Sequence, residues 1–295
     1  MACYSPLQAF RTAKGEVVFE QPRGCFSIPL TLPCGQCVGC RLERSRQWAI
    51  RCVHEASLHK NNCFITLTFS NEHLPNPPTL DVRDFQLFMK RLRKEFGPGV
   101  RFYHCGEYGE KFGRPHYHAI LFNLDFPDKY LFNVVNGQNL YRSPTLERLW
   151  PFGHSSIGSV TFESAAYVAR YVMKKITGDA AKQYYSYCPK TGEVFERKPE
   201  YTTMSRRPGI AKGWFDKFLT DVFPSDEVVL RGKSMKPPKY YDNQYEIVYP
   251  DEYVKMKQER MARAKERASD VNAPSLESQR ICTEAKLKKL VRNVD

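Results

Sequence analysis

Two histidines separated by one residue lie in the stretch Gly113-Arg114-Pro115-His116-Tyr117-His118-Ala119-Ile120-Leu121-Phe122. From Tyr117 onward this reads as a buried strand, with aromatic and branched residues following a Gly and a Pro. Alternate strand side chains share a face, so His116 and His118 project together, close enough for both imidazoles to hold one divalent ion. In apolar surroundings their ring nitrogens must be satisfied, either by a metal or by hydrogen bonds within a core.

A second group with chemical potential lies on Ser164-Ala165-Ala166-Tyr167-Val168-Ala169-Arg170-Tyr171-Val172-Met173-Lys174-Lys175-Ile176. At helical spacing, Ala165, Val168, Ala169, Val172 and Ile176 make one apolar stripe, and Tyr167, Arg170, Tyr171 and Lys174 gather on the opposite face. A tyrosine hydroxyl titrates near 10 and is a poor nucleophile at neutral pH. A neighbouring cation and a metal-polarised phosphate together make it competent. Its attack on a phosphodiester yields a phosphotyrosine and a free 3′-hydroxyl. One ester replaces another, so the step is reversible. Two tyrosines one turn apart can alternate, one holding a DNA end while the other cuts.

A third group is Cys34-Gly35-Gln36-Cys37-Val38-Gly39-Cys40. Three cysteines at regular spacing with glycines between them suit a structural Zn²⁺, the fourth ligand coming from Cys25 or Cys3. Position 44 is Arg where a ferredoxin-type cluster would want a further Cys, which argues against iron–sulfur. Buried thiols on a turn are the alternative.

The elements that must position these groups follow from local pattern. Residues 1–60 read as loop-rich, punctuated by prolines, with a basic helix over Arg41–Ala56 that either tracks phosphates or forms a solvated face. Cys63–Phe69 alternates Thr with large apolar residues and is a strand. Asp81 caps a helix that ends at Gly97, with Phe85, Phe88, Leu92 and Phe96 on one stripe. Val100–Gly106 is a second strand, turning into the histidine strand. Ser143–Trp150 is a short helix and Ser156–Phe162 a fourth strand. Tyr184–Tyr187 and Val194-Phe195 flank a hairpin turn, and the tyrosine run either stacks bases or edges a sheet. The expected architecture is α+β, a central antiparallel sheet with helices packed on it. Domain boundaries are expected at 1–60 (Cys-rich segment), 61–215 (catalytic domain), 216–250 (extension) and 251–295. That last stretch, charged and rich in helix formers, reads as a solvated helix or a partly disordered tail without a core role.

Across 295 residues the formal net charge is +13, with 17 Tyr and 19 Phe, which suits a polyanion and above all nucleic acid. No apolar run is long enough to span a membrane, and the start of the chain lacks the regions of a signal peptide. The ten cysteines are therefore expected in a reducing, cytoplasmic setting, as thiols or metal ligands.

Phe64-Ile65-Thr66-Leu67-Thr68-Phe69, then Arg114-Pro115-His116-Tyr117-His118, then Tyr167-x-x-x-Tyr171-x-x-Lys174 resemble the three ordered motifs of rolling-circle replication initiators, the HUH endonucleases. The paired tyrosines and the cysteine-rich opening are similar to the initiators of small single-stranded DNA phages, the gokushovirus branch of the microviruses. The resemblance covers roughly residues 30–210. It implies a ferredoxin- or RRM-like split βαβ fold, and Mg²⁺ or Mn²⁺ bound by His116 and His118. It also implies a polar third ligand from a neighbouring strand, for which Glu107 is chosen, with Glu110 and His104 as fallbacks. It assigns the first nick to Tyr171 with Lys174, and the alternating role to Tyr167 with Arg170. The substrate it implies is single-stranded or supercoiled origin DNA, nicked, held as a 5′-phosphotyrosine and later rejoined. Arg114, Arg170, Lys175, Arg206 and Arg207 are candidate DNA contacts, Arg206 and Arg207 together with Trp214. No phosphate-binding Gly-Lys-Ser/Thr loop is present, so unwinding is expected from a host helicase.

Two rival readings draw on parts of the same pattern. A zinc hydrolase would use the histidines and Glu107 but has no need of the tyrosine face. A basic, zinc-containing single-strand-binding or packaging protein would leave both the histidines and the tyrosines unexplained.

Overall fold

Strands rather than loops occupy the first part of the chain in the computed structural model, which describes residues 3–109, 113–171, 179–187, 194–266 and 272–288. β1 (Leu7–Thr12), β2 (Val17–Val18) and β3 (Ser27–Leu32) form an antiparallel sheet in the order β2-β1-β3. Only Ala9 among these strand residues is fully buried, so the sheet lacks the alternation that would have announced it. Helix α1 follows (Val38–Ser57).

The main sheet begins with β4 (Asn62–Phe69), then α2 (Val82–Phe96), β5 (Arg101–Tyr108), β6 (Pro115–Phe122), β7 (Tyr130–Val135) and β8 (Gln138–Arg142). Next come α3 (Pro144–Leu149), β9 (Gly153–Gly158), α4 (Phe162–Tyr171), α5 (Asp179–Tyr185), β10 (Ser186–Tyr187), β11 (Phe195–Glu196) and β12 (Tyr201–Met204). The chain continues through α6 (Lys212–Val222), β13 (Val228–Leu230), β14 (Lys233–Met235), α7 (Lys239–Val248), α8 (Pro250–Glu266) and α9 (Ala273–Lys288). Seven strands pair in the order β12-β5-β6-β4-β9-β8-β7, antiparallel throughout. This is the expected α+β architecture, consistent with an HUH-endonuclease-like fold.

The pleat assigns the two faces of this sheet. Ile65, Leu67 and Phe69 of β4 and Tyr117, Ala119 and Leu121 of β6 meet Phe85, Phe88, Met89 and Leu92 of α2 around the fully buried Trp150. Burying each such side chain contributes about 1.5–3 kcal/mol. Asp81 caps α2, accepting from Arg83 N at 2.8 Å. Tyr117 reaches that cap, with its hydroxyl 2.8 Å from Asp84 Oδ2 and accepting from Asp81 N at 3.1 Å. With Tyr117 anchored on the α2 side, His116 and His118 must face the other way. There α4 packs across β5, β6 and β12. Trp48 of α1 stacks on Tyr103 of β5 at 4.8 Å, and Ser45 Oγ of α1 donates to Ala166 O of α4 at 2.9 Å.

Strand β9 ends earlier than its apolar pattern predicts, because Thr161 and Ser164 cap α4 reciprocally. Each backbone N–H reaches the other's hydroxyl, at 2.8 and 3.1 Å. At the start of β9, a Cβ on Gly153 would stand 2.3 Å from Ser70 N and 2.4 Å from Thr68 O, a backbone approach that only glycine permits. The expected hairpin exists as β10 paired with β11, but Tyr184 and Tyr185 belong to α5. Tyr185 is buried and donates to Glu200 Oε2 at 2.6 Å, while Tyr184 is exposed.

The described residues fall into two compact units, one of residues up to Arg44 together with those from Asn243 on, the other Ser45–Asp242. The stretch after Asp251 is helical as expected, yet Tyr253 and Met256 of α8 are buried. They sit within one helical turn among charged neighbours, too sparse a stripe to be read as a core face. No helix among the described residues is long and apolar enough to cross a membrane.

Candidate active site

Register brings the titratable groups together. In the β5–β6 pairing Glu107 lies opposite His116, and in the β4–β6 pairing Thr66 lies opposite His118. Glu107 Oε1 is 2.9 Å from His116 Nε2 and 2.8 Å from His118 Nε2. Behind the rings, His116 Nδ1 is 3.1 Å from Arg114 O and His118 Nδ1 is 3.0 Å from Thr66 Oγ1. A carbonyl oxygen only accepts, so His116 Nδ1 carries a hydrogen. The Thr66 hydroxyl can accept from His118 Nδ1 in the same way. Rings protonated at Nδ1 turn bare Nε2 lone pairs toward Glu107, the arrangement that orients metal-bound histidines.

All three donor residues are buried, and their donor atoms lie within 4.8 Å of one another. Donors at right angles around an ion bound at about 2.1 Å would stand about 3 Å apart, close to the two Glu107 distances. Two imidazoles and a carboxylate therefore fit a hard divalent cation. Gly109 belongs to the same packing, since a Cβ there would come within 3.1 Å of His116 Cε1.

Electrostatics favour an ionised carboxylate. Burial pushes the Glu107 carboxyl up, but the hydrogen bonds from His116 and His118, with their charge, outweigh it and hold it at about 2. A buried carboxylate retained between two histidines is costly without partners, and such arrangements concentrate at functional sites.

The first fallback ligand, His104, is on the opposite face of β5. It stacks on Phe85 at 3.5 Å, and its Nδ1 is 2.9 Å from Thr203 Oγ1. Burial and the nearby His118 charge keep it well below its ordinary value, hence neutral. Strand parity separates it from Glu107, three residues on. Glu110 lies outside the described residues.

Helix α4 brings Tyr167 to this site. Its ring packs edge-on against His118 at 5.2 Å and against Phe64 at 6.4 Å. Helical spacing had set Tyr167 apart from the core stripe, yet it is buried along with Ala165, Val168 and Ala169. Both sides of α4 are covered, one by the sheet and one by α1, which a single-helix projection does not reveal. Tyr171 closes the described part of α4 one turn later. The side chains of Arg170 and Tyr171, and residues Lys174 and Lys175, lie outside what is described.

The family of the replication-associated protein ORF2 matches residues 62–176, a span from the first residue of β4 through α4 that contains Thr66, Glu107, His116, His118, Tyr167 and Tyr171. The chain is 32% identical over 291 residues to replication-associated protein VP4 of Bdellovibrio phage phiMH2K, covering 92% of this chain and 88% of that one. It is 33% identical over 295 residues to replication-associated protein ORF2 of Spiroplasma virus 4, covering 89% and 87%. It is also 32% identical over 225 residues to replication-associated protein ORF4 of Chlamydia phage 1, covering 73% and 53%. The chain belongs to the family of phage replication-associated proteins. No solved structure matches it significantly.

In this family member, several cations that the sequence offered to DNA have internal partners. Arg114 donates to Phe69 O at 2.9 Å and to Asn71 Oδ1, tying the loop after β4 to the start of β6. Arg51 of α1 lies between the rings of Trp48 and Tyr240 at 4.1 and 3.9 Å and donates to Ile210 O. Arg46 donates to Lys236 O at 2.8 Å. The ring of Trp214 stacks on His54 at 3.5 Å, with Tyr241 beyond at 5.7 Å, so it belongs to an aromatic pile. Arg206 and Arg207 are exposed on the turn after β12. The cysteines Cys3, Cys34, Cys37 and Cys40 converge, whereas Cys25 is exposed and not among them. Thr66 is the functional residue the sequence reading passed over. Its signal was present, because it stands in the first motif, but its role needs the β4–β6 register.

Proposed function

We propose that this chain is a rolling-circle replication initiator that nicks single-stranded or supercoiled origin DNA through a tyrosine. The observation that carries this reading is the meeting of two imidazoles and one carboxylate at a point bordered by a tyrosine ring of α4. Family membership and the order of the three motifs support it.

His116, His118 and Glu107 would hold Mg²⁺ or Mn²⁺, which supplies Lewis-acid polarisation of the scissile phosphate. Tyr171, with Lys174 to stabilise its phenolate, makes the first attack. The phenol oxygen bonds to phosphorus, the 3′ oxygen leaves and takes up a proton, and the 5′ phosphate remains on the protein. Tyr167, with Arg170, accepts the strand in the following round, and attack by a free 3′-hydroxyl rejoins the DNA. Arg114, Lys175, Arg206 and Arg207 are assigned to backbone phosphates. Unwinding falls to a host helicase, and the work is done in the host cytoplasm. The test is a denaturing gel with single-stranded DNA of the cognate replicon, with Mg²⁺, Mn²⁺ or chelator. The expected result is a metal-dependent nick with protein on the 5′ end. Tight binding with no cleavage under any metal overturns the proposal.

Thr66 serves as a positioning residue in this scheme. Thr66→Val removes the oxygen that faces His118 Nδ1 and keeps the β-branched shape. Losing such a partner weakens metal binding by about 10–100-fold. Titration calorimetry with Mn²⁺ should show that loss, with Thr66→Ser restoring most of it and circular dichroism unchanged. Equal affinity in wild type and Thr66→Val would remove Thr66 from the site.

A further inference from the structure

The strands at the beginning of the chain have little core of their own. Leu7, Phe19, Phe26 and Ile28 are 42%, 62%, 74% and 49% exposed. Segments that cannot bury enough apolar surface are commonly stapled by disulfides or metal. Next to this sheet, Cys3 precedes β1, Cys34 follows β3, Cys37 precedes α1 and Cys40 lies in its first turn.

The sulfur atoms of these four residues lie within 4.8 Å of one another. Cys3 Sγ is 3.7 Å from Cys34 Sγ and 3.9 Å from Cys37 Sγ. A tetrahedron of thiolates around Zn²⁺ at about 2.3 Å has edges of about 3.8 Å. A disulfide would need about 2.05 Å and would use the sulfurs in pairs. Backbone N–H groups are aimed at the sulfurs: Cys34 N at Cys3 Sγ (3.3 Å), Cys37 N at Cys34 Sγ (3.2 Å), Tyr4 N at Cys37 Sγ (3.3 Å) and Cys40 N at Cys37 Sγ (3.5 Å). Such donors stabilise thiolates, as does the N-terminus of a helix. Gly35, at φ +73°, makes the turn that returns Cys37 toward Cys34. The Arg44 guanidinium reaches Gly35 O at 3.4 Å, placing a positive charge beside the group.

We propose that Cys3, Cys34, Cys37 and Cys40 bind one Zn²⁺ as a structural tetrathiolate centre, separate from the histidine–glutamate site, that fastens the N-terminal strands to the start of α1. The metal displaces the thiol protons to solvent, and no oxidant or reductant is needed. The spacing within Cys34–Cys40 hinted at such a site, but only the return of β1 alongside β3 selects Cys3 as the fourth ligand.

Metal analysis of the full chain, purified without chelator, tests this. The expected result is one zinc per chain, unchanged in Cys25→Ser and in the His116→Ala/His118→Ala double variant, and lost in Cys37→Ser. Should Cys37→Ser fail to fold, Co²⁺-exchanged wild type carries the test through the strong visible bands of tetrahedral cobalt thiolate. Stripping zinc from the wild type should also raise proteolytic cutting within residues 3–44 at least tenfold. No zinc, zinc that departs with the histidines, or iron held by the cysteines overturns the proposal. Because the nicking assay reads the other site, failure of one proposal is distinguishable from failure of the other.

Discussion

Replacing Tyr167 and Tyr171 together by Phe abolishes covalent attachment to DNA and lowers nicking by roughly 10³-fold or more, the scale on which covalent catalysts lose rate without their nucleophile. The substitution suits the site because it removes an oxygen and leaves the ring. At Tyr167 the edge-on packing against His118 and Phe64 survives, so a loss of activity cannot be ascribed to a collapsed α4. The single variants divide the cycle. Tyr171→Phe loses the first nick, whereas Tyr167→Phe nicks once and fails to transfer the strand to a second tyrosine. The measurement is a gel with 5′- and 3′-labelled single-stranded DNA, scored for cleavage, protein-linked product and rejoined product. Cleavage that persists in the double variant would mean that water, activated by metal, is the nucleophile.

Glu107→Gln has the other large effect. The amide keeps the shape of the side chain but removes the charge that both Nε2 atoms face, at 2.9 and 2.8 Å. Divalent-metal affinity should fall at least about 100-fold, more than for the loss of a supporting partner, and nicking should fall with it. Mn²⁺ at about 100 times its Kd stabilises a binding-competent fold by about 2.7 kcal/mol. Mn²⁺ therefore raises the Tm of the wild type and leaves that of Glu107→Gln unmoved. Acid separates two effects. Ion binding requires unprotonated Nε2 atoms, so affinity falls with decreasing pH, by up to two protons per ion. Independently, Glu107 is held at about 2 in the fold, below its ordinary 4.5. A depressed carboxyl contributes stability above its unfolded value, and that contribution is lost as pH falls from about 4.5 toward 2. Melting of the metal-free wild type should steepen across that window, while Glu107→Gln lacks this component. Identical acid profiles for the two proteins would show that Glu107 is not the carboxylate held by the histidines.

Much of this site follows from rules that act over a few residues. Period two sets His116 and His118 on one face with Tyr117 on the other, and Asp81 capping an amphipathic stripe defines α2 in the sequence itself. Those elements, their order and the α+β class were determined by the chain locally, because side-chain direction in strands and helices depends only on spacing. Register does not. Glu107 was separable from His104 and Glu110 only once β5 was laid against β6, and Thr66 acquires a partner only through β4. Cys3 rather than Cys25 meets Cys34 and Cys37 because a weakly patterned sheet returns the chain across a separation of 31 residues. Arg51 and Trp214 looked like DNA contacts by composition and proved to be packed against Tyr240 and His54. Tyr167 looked peripheral to the core and lies buried beside His118. In each case a side chain's role was decided by a neighbour distant in sequence, and pairing across such distances is chosen by the packing of the whole sheet and not by any local preference.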